Sequence, residues 1–198
     1  MTSLILASTS PRRKELLGRL GWAFTVQASE ADESLPAGLS PGEAVVCLAR
    51  RKANAVARML AEPAWVLGAD TVVALDGRIL GKPRDEAEAA WMLRQLSGAW
   101  HEVHTGVCLL QTGGGEEAFS DCTRVHFTPM DDQAIAGYVA TGEPMDKAGA
   151  YGIQGWAGAY IDRIEGCFFN VMGLPLAKVR QALQTWMGRK EGKGNVAE

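Results

Sequence analysis

Trp65-Val66-Leu67-Gly68-Ala69-Asp70-Thr71-Val72-Val73-Ala74-Leu75-Asp76-Gly77-Arg78-Ile79-Leu80 is the stretch whose reading decides the fold. Trp65 to Ala69 is an apolar run of strand length that leads into Asp70. Strand character resumes from Thr71 to Leu75, and Asp76-Gly77 is the dipeptide that favours a tight hairpin before Arg78 to Leu80. A carboxylate thus sits inside strand sequence, where no turn excuses it. Desolvated carboxylates are costly unless a cation or metal pairs with them, and strand ends are where α/β sheets hold ligands.

Toward the N-terminus, Ser3 to Ala7 reads as a short buried strand bounded by Ser8-Thr9-Ser10. Ser10 and Pro11 open a helix as N-cap and first helical residue, with Leu16, Leu17 and Leu20 on its apolar face and Gly21 ending it. Trp22 to Ala28 alternates as a strand, and Ser29 to Leu39 is a polar stretch carrying Asp32 and Glu33. Ser40-Pro41-Gly42-Glu43 is a capping box that begins a helix reaching about Leu60. Toward the C-terminus, Asp85 caps a helix to Leu96, and two long strands, Trp100 to Gln111 and Glu116 to Phe127, flank Thr112-Gly113-Gly114-Gly115. A short helix over Asp131 to Ala140 follows, then a Gly-rich segment, a strand over Ala159 to Ile164, and a last helix opened by Pro175. In that helix Leu176, Val179, Leu183 and Trp186 share a face. Strands alternate with helices and hairpins are interspersed, which predicts a mixed α/β sheet. Residues 1–187 read as one domain, and 188–198 as a loose tail without apolar pattern.

The charge balance of 20 basic against 23 acidic residues, net −3, lacks the basic surplus of a protein that coats nucleic acid. No apolar run approaches the roughly 18 residues of a membrane span, so no membrane partner is expected. The first residues lack a basic n-region, which argues against a signal peptide. Cys47, Cys108, Cys122 and Cys167 are scattered without a CxxC and read as free thiols of a reducing compartment. His101 and His104 lie in strand-like sequence at a spacing that puts their rings on opposite faces, which argues against a zinc pair.

Several residues suit a phosphorylated ligand. Ser8-Thr9-Ser10-Pro11-Arg12-Arg13 turns a strand into a helix whose free N–H groups and dipole favour an anion, and two arginines in a first turn are unfavourable without one. Lys52 falls within the apolar stripe of its helix, whereas Arg50, Arg51 and Arg58 read as solvated charges. Lys82 follows the hairpin, where the chain returns toward Asp70, and Glu33 or Asp32 offers a second carboxylate to the same cleft. The loop Asp146-Lys147-Ala148-Gly149-Ala150-Tyr151-Gly152-Ile153-Gln154-Gly155 is neither a dinucleotide nor a P-loop fingerprint. Its small residues let backbone approach a ligand, and Gln154 can donate and accept together at a base edge. The combination indicates a phosphorylated, base-containing ligand.

Leu6 to Arg13, Leu48 to Ala53, Gly68 to Val73, Leu80 to Pro83, Leu96-Ser97-Gly98, Val103 to Val107, the Asp146–Gly155 loop and Gly173 to Leu176 resemble, in order, the motifs of the Maf-like nucleotide pyrophosphatases. The resemblance runs from residue 3 to about residue 183, and the Gly113-Gly114-Gly115 hairpin that departs from it touches no motif. It implies an α/β fold, a mixed and strongly twisted sheet with flanking helices and two lobes around a cleft, similar to the inosine triphosphate pyrophosphatases. It implies hydrolysis of a nucleoside triphosphate to the monophosphate and pyrophosphate with a divalent cation, Mg²⁺ or Mn²⁺. Asp70 is then the catalytic carboxylate, as proton acceptor or as metal ligand, and Glu33 the second metal ligand. Ser8, Arg13, Lys52 and Lys82 bind phosphate, while Arg12, Thr71 and Gln154 match positions tied to substrate specificity. The Asp146–Gly155 loop resembles that of the subgroup acting on dTTP and UTP rather than the sister subgroup acting on 7-methyl-GTP. A cytoplasmic homodimer is implied. A nucleotide-binding regulator of cell division or septum formation is the alternative of another class.

Overall fold

The computed structural model describes residues 3–188. Its strands are β1 Ser3–Ala7, β2 Phe24–Val26, β3 Ala64–Leu75, β4 Arg78–Leu80, β5 Trp100–Gln111, β6 Glu116–Phe127 and β7 Ile161–Glu165. Its α-helices are α1 Pro11–Gly18, α2 Pro41–Ala57, α3 Glu86–Leu96, α4 Asp132–Ala140, α5 Phe168–Val171 and α6 Leu176–Met187. The seven strands form one mixed sheet in the order β2-β1-β3-β5-β6-β7, with β4 on β3. β1 runs parallel to β2 and β3, and the pairs from β3 through β7 are antiparallel. The α/β class expected from the alternation of elements is the one observed.

β3 is one strand through Asp70, and its pairing leaves a gap. β5 lines one edge from Trp65 to Ala74. On the other edge β1 pairs only as far as Gly68, and β4 begins only at Val73. Ala69, Asp70, Thr71 and Val72 therefore face the ends of β1 and β4 rather than a strand. The hairpin that returns β4 has Asp76 at φ 50° and Gly77 at φ 76°, the left-handed pair that a two-residue turn requires.

Three apolar clusters fasten the helices. Leu4, Leu6, Trp65 and Leu67 pack against Leu16, Leu17, Val179 and Leu183 of α1 and α6. Ile5, Ala7, Val66 and Cys108 pack on the opposite face against Ala49, Ala53 and Val56 of α2. The far ends of β3, β5 and β6 pack with α3 and α4 through Val73, Val103, Phe127, Leu93, Ile135 and Tyr138. Each fully buried Leu or Val contributes about 1.5–3 kcal/mol. α2 lies unusually close to the sheet, because a Cβ on Gly68 would stand 2.3 Å from the Ala49 carbonyl oxygen. One on Gly106 would stand 2.3 Å from the Val45 carbonyl.

Local departures from the sequence reading have local causes. The first helix ends at Gly18 and reaches Gly21 through a tight turn, and α2 stops at Ala57 with a turn over Met59 and Leu60. β2 spans three residues because only Leu4 to Leu6 of β1 pair with it. The segment around Ala159 is a 3₁₀ turn, so the strand starts at Ile161, and the short α5 went unread. Trp186 is exposed, although it meets Trp65 edge-on at 5.9 Å. The tail expected over 188–198 lies outside the described residues except for Gly188. No helix among the described residues is long and apolar enough to cross a membrane.

Candidate active site

The gap in β3 is where the charges converge. Gly68 and Asp70 point to the same face of the strand, two residues apart. Because α2 rests on Gly68 through Ala49 and Ala53, the intervening Lys52 is delivered to Asp70. Its ammonium donates to Asp70 Oδ1 at 2.5 Å and to Glu33 Oε1 at 2.8 Å. Both Lys52 and Asp70 side chains are nearly enclosed, at 14% and 13% exposure, whereas Glu33 is exposed. The Lys52 hydrogen bond holds Glu33 below the usual carboxylate range against the opposing effect of burial.

Arg51 corrects the sequence reading of a solvated charge. It donates to the backbone carbonyls of Asp32, at 3.1 Å, and Ser34. Arg51 and Lys52 therefore pin the same loop from consecutive positions, one by its backbone and one by Glu33.

Arg13 reaches β3 from the other side. Ser10 caps α1 by accepting the Arg13 N–H, and Ser8 Oγ accepts the Ser10 N–H at 3.2 Å, so both hydroxyls shape this turn. The Arg13 guanidinium donates from Nε to the Gly173 carbonyl and from Nη2 to Thr71 Oγ1, each at 2.9 Å. Burial lowers its pKa, with the negative charge of Asp70 acting in the opposite sense. Gly173, at φ +107°, keeps Arg13 this close, since a Cβ there would crowd Thr71 Oγ1 at 3.3 Å.

Proton accounting fixes Thr71. Thr105 donates its hydroxyl proton to the Asn170 carbonyl at 2.8 Å, so at the 2.9 Å contact between the two threonines Thr71 is the donor. Thr71 thus accepts from Arg13 and spends its only proton on Thr105. In this arrangement it orients Arg13 and has no proton to offer a base. Asn170, fully buried, extends the chain to Val103 O and Thr123 Oγ1. The sequence reading missed Asn170 and Thr105. The available signal was an amide set in the apolar run Cys167 to Met172.

The remaining candidates border this centre to different degrees. Arg12 is half-buried, 3.8 Å from the Asp146 carboxylate. Lys82 is exposed beyond β4, and its charge contributes to lowering the Glu33 pKa. The Asp146–Gly155 loop docks beside it, with the Gly149 N–H donating to the Gly81 carbonyl at 3.0 Å. Gly149, at φ +67°, would drive a Cβ to 2.8 Å from Val73. Gln154 is exposed, and no hydrogen bond among the described residues ties it to the charged centre. A cavity of about 1190 Å³ lies elsewhere, between the Glu30–Leu39 loop, the outer face of α2 and β6, and neither Asp70 nor Lys52 lines it.

The family described as Maf-like protein matches residues 3–186. A dTTP/UTP pyrophosphatase of Pelotomaculum thermopropionicum is 52% identical, covering 93% of this chain and 96% of its own. A dTTP/UTP pyrophosphatase of Bacillus pumilus is 49% identical, covering 94% and 97% respectively. Among solved structures, a HAM1 protein from Coxiella burnetii shares the fold at a TM-score of 0.52 and 16% identity, over 93% of this chain and all of its own.

Proposed function

This chain belongs to the Maf-like protein family, and on that footing we propose that it hydrolyses dTTP and UTP to the nucleoside monophosphate and pyrophosphate. The carrying observation is the Lys52–Asp70–Glu33 cluster at the gap in β3, in a chain 52% identical to a dTTP/UTP pyrophosphatase along nearly its whole length. Lys52 engages Asp70 Oδ1, which leaves Oδ2 to take a proton from an attacking water. Attack on the α-phosphorus forms the new P–O bond and breaks the bridge to the β-phosphorus, with pyrophosphate as leaving group. Arg13, whose partners are both neutral oxygens, brings positive charge to meet the triphosphate, joined by Lys52 and Lys82.

A divalent cation, Mg²⁺ or Mn²⁺, belongs to this reading. Asp70 and Glu33 offer the hard oxygen donors such ions take, and their convergence on one ammonium supports a shared cationic centre. When bound, the ion offsets charge on the phosphate oxygens and leaving group. Arg12 and Gln154 belong to base choice in this reading. Gln154 donates to one carbonyl of uracil or thymine and accepts from its N–H. Thr71 contributes through Arg13. The reading extends to a cytoplasmic homodimer whose single domain, residues 1–187, has two lobes around the cleft.

The test is product analysis with UTP, dTTP, CTP, GTP and 7-methyl-GTP, with Mg²⁺ and Mn²⁺ assayed separately. Pyrophosphate release fastest from UTP and dTTP is expected. Orthophosphate as the first product, or preference for 7-methyl-GTP, overturns the assignment. Gln154→Glu removes the amide donor, and kcat/KM for UTP and dTTP should fall about tenfold, with a smaller loss for CTP.

A further inference from the structure

We propose that Glu102, His104 and Cys122 form a zinc site, separate in residues and in chemistry from the nucleotide centre. The sequence argument against a zinc pair concerned His101 and His104, and the structure upholds it: His101 is buried among Tyr151 and Phe127, while His104 lies on the other face of β5, beside Gly42 at the start of α2. The sheet register supplies what the HxxH spacing does not. His104 pairs with Cys122 across β5 and β6, and Glu102 follows on the same face of β5.

The three ligand atoms all lie within 4.8 Å of one another. His104 Nε2 is 3.7 Å from Cys122 Sγ and 2.9 Å from Glu102 Oε2. A tetrahedral zinc with bonds of about 2.3 Å to sulfur and about 2.0–2.1 Å to nitrogen and oxygen sets S···N near roughly 3.6 Å and O···N near roughly 3.4 Å. The His–Cys pair already has that spacing, the Glu–His pair must part by about half an ångström, and the Glu–Cys pair lies within 4.8 Å. Neighbouring charges are engaged elsewhere. Arg124, opposite Glu102, donates to Glu165 at 2.6 Å and lies over Trp100, and Asp121 accepts from Lys178 at 2.7 Å. Glu102 keeps His104 as its side-chain partner among the described residues.

One thiolate, one carboxylate and a neutral imidazole balance a divalent ion, and such a mixed, softer set selects zinc over Mg²⁺ or Mn²⁺. Cys122 is exposed, so the ion has access and water takes the fourth position. Burial and the charge of Glu102 raise the free thiol's pKa, so binding displaces one proton from Cys122. The site ties β5 to β6 two residues beyond Gly106, the partner of Asp70.

The test is a Co²⁺ titration of the chelator-treated full chain, with Zn²⁺ affinity measured by displacement. One equivalent with a thiolate-to-cobalt charge-transfer band and tetrahedral ligand-field bands is expected. Cys122→Ser should abolish the charge-transfer band and weaken zinc about a hundredfold or more, and His104→Ala should weaken it comparably. Cys47→Ser and Cys167→Ser should change neither. Circular dichroism verifies the fold of each variant. Absence of the band in the wild-type chain, or its survival in Cys122→Ser, overturns the proposal.

Discussion

Lys52 and Arg13 are two cations brought to adjacent residues of β3 from opposite faces of the sheet, and their surroundings differ in kind. Lys52, carried by α2, touches two carboxylates. Arg13, carried by α1, touches a carbonyl and a hydroxyl. A partly buried charge needs an opposite charge or a reason to lack one. Lys52 is compensated at contact distance, which makes it the residue that sets Asp70 and Glu33 in place. Arg13 is not, and a guanidinium keeps its proton even where burial lowers its pKa. Its free charge suits an arriving triphosphate. His101 shows the third outcome, since burial without a counter-charge drives its pKa to about 4 and leaves it neutral in the core.

The largest way to break the comparison is Asp70→Asn, which removes the carboxylate that distinguishes the Lys52 side. Turnover of UTP should fall about 10²–10⁴-fold, or further if a metal ligand is also lost. Turnover within tenfold of wild type, with an intact circular dichroism spectrum, would exclude Asp70 from the reaction.

The neutral His101 yields the next effect, on stability. Its folded pKa lies below the unfolded value of 6.5, so its contribution is full above that value and declines as pH falls toward about 4. Over that window the loss approaches about 3 kcal/mol. In urea unfolding, His101→Gln should lose correspondingly less stability than wild type between pH 7 and pH 4.5. An equal loss in both proteins would show that acid acts elsewhere.

Lys52→Met should cost about 1–2 kcal/mol of unfolding free energy by leaving Asp70 nearly enclosed without its cation. Adding Asp70→Asn to that variant should restore part of the loss. Additive effects in the double variant would mean that the pair does not couple.

Arg13→Lys keeps the charge but cannot hold Gly173, Thr71 and an anion together. KM for UTP should rise about tenfold, with a smaller change in kcat. A fall in kcat alone would move Arg13 from binding to the chemical step.

Much of the frame was legible because it is written in local chemistry. Ser10, Ser40 and Asp85 cap the helices they were expected to cap, and β5 and β6 have the expected limits. Asp70 stood out as an acid inside strand sequence, and Lys52 as an ammonium inside an apolar stripe. Arg51 was misread because helix periodicity gives the face of a side chain and not the loop that will cover that face. Asn170 and Thr105 were unread because their partners are distant in sequence, Val103 and Thr123 for the one and Thr71 for the other.

By itself the sequence determined where most helices start, the limits of the two long strands β5 and β6, which residues are too polar for their surroundings, and which motifs the chain carries. Caps, turns and alternation act over a few residues and need no knowledge of the rest of the chain. Only the tertiary structure decided that β1 stops short of β4 and leaves Asp70 at an open edge. Only it decided that α2 lies close enough over Gly68 for Lys52 to reach that carboxylate, and that Cys122 falls beside His104. These facts depend on strand register and on helix-to-sheet distance, which are set by the packing of residues far apart in the chain.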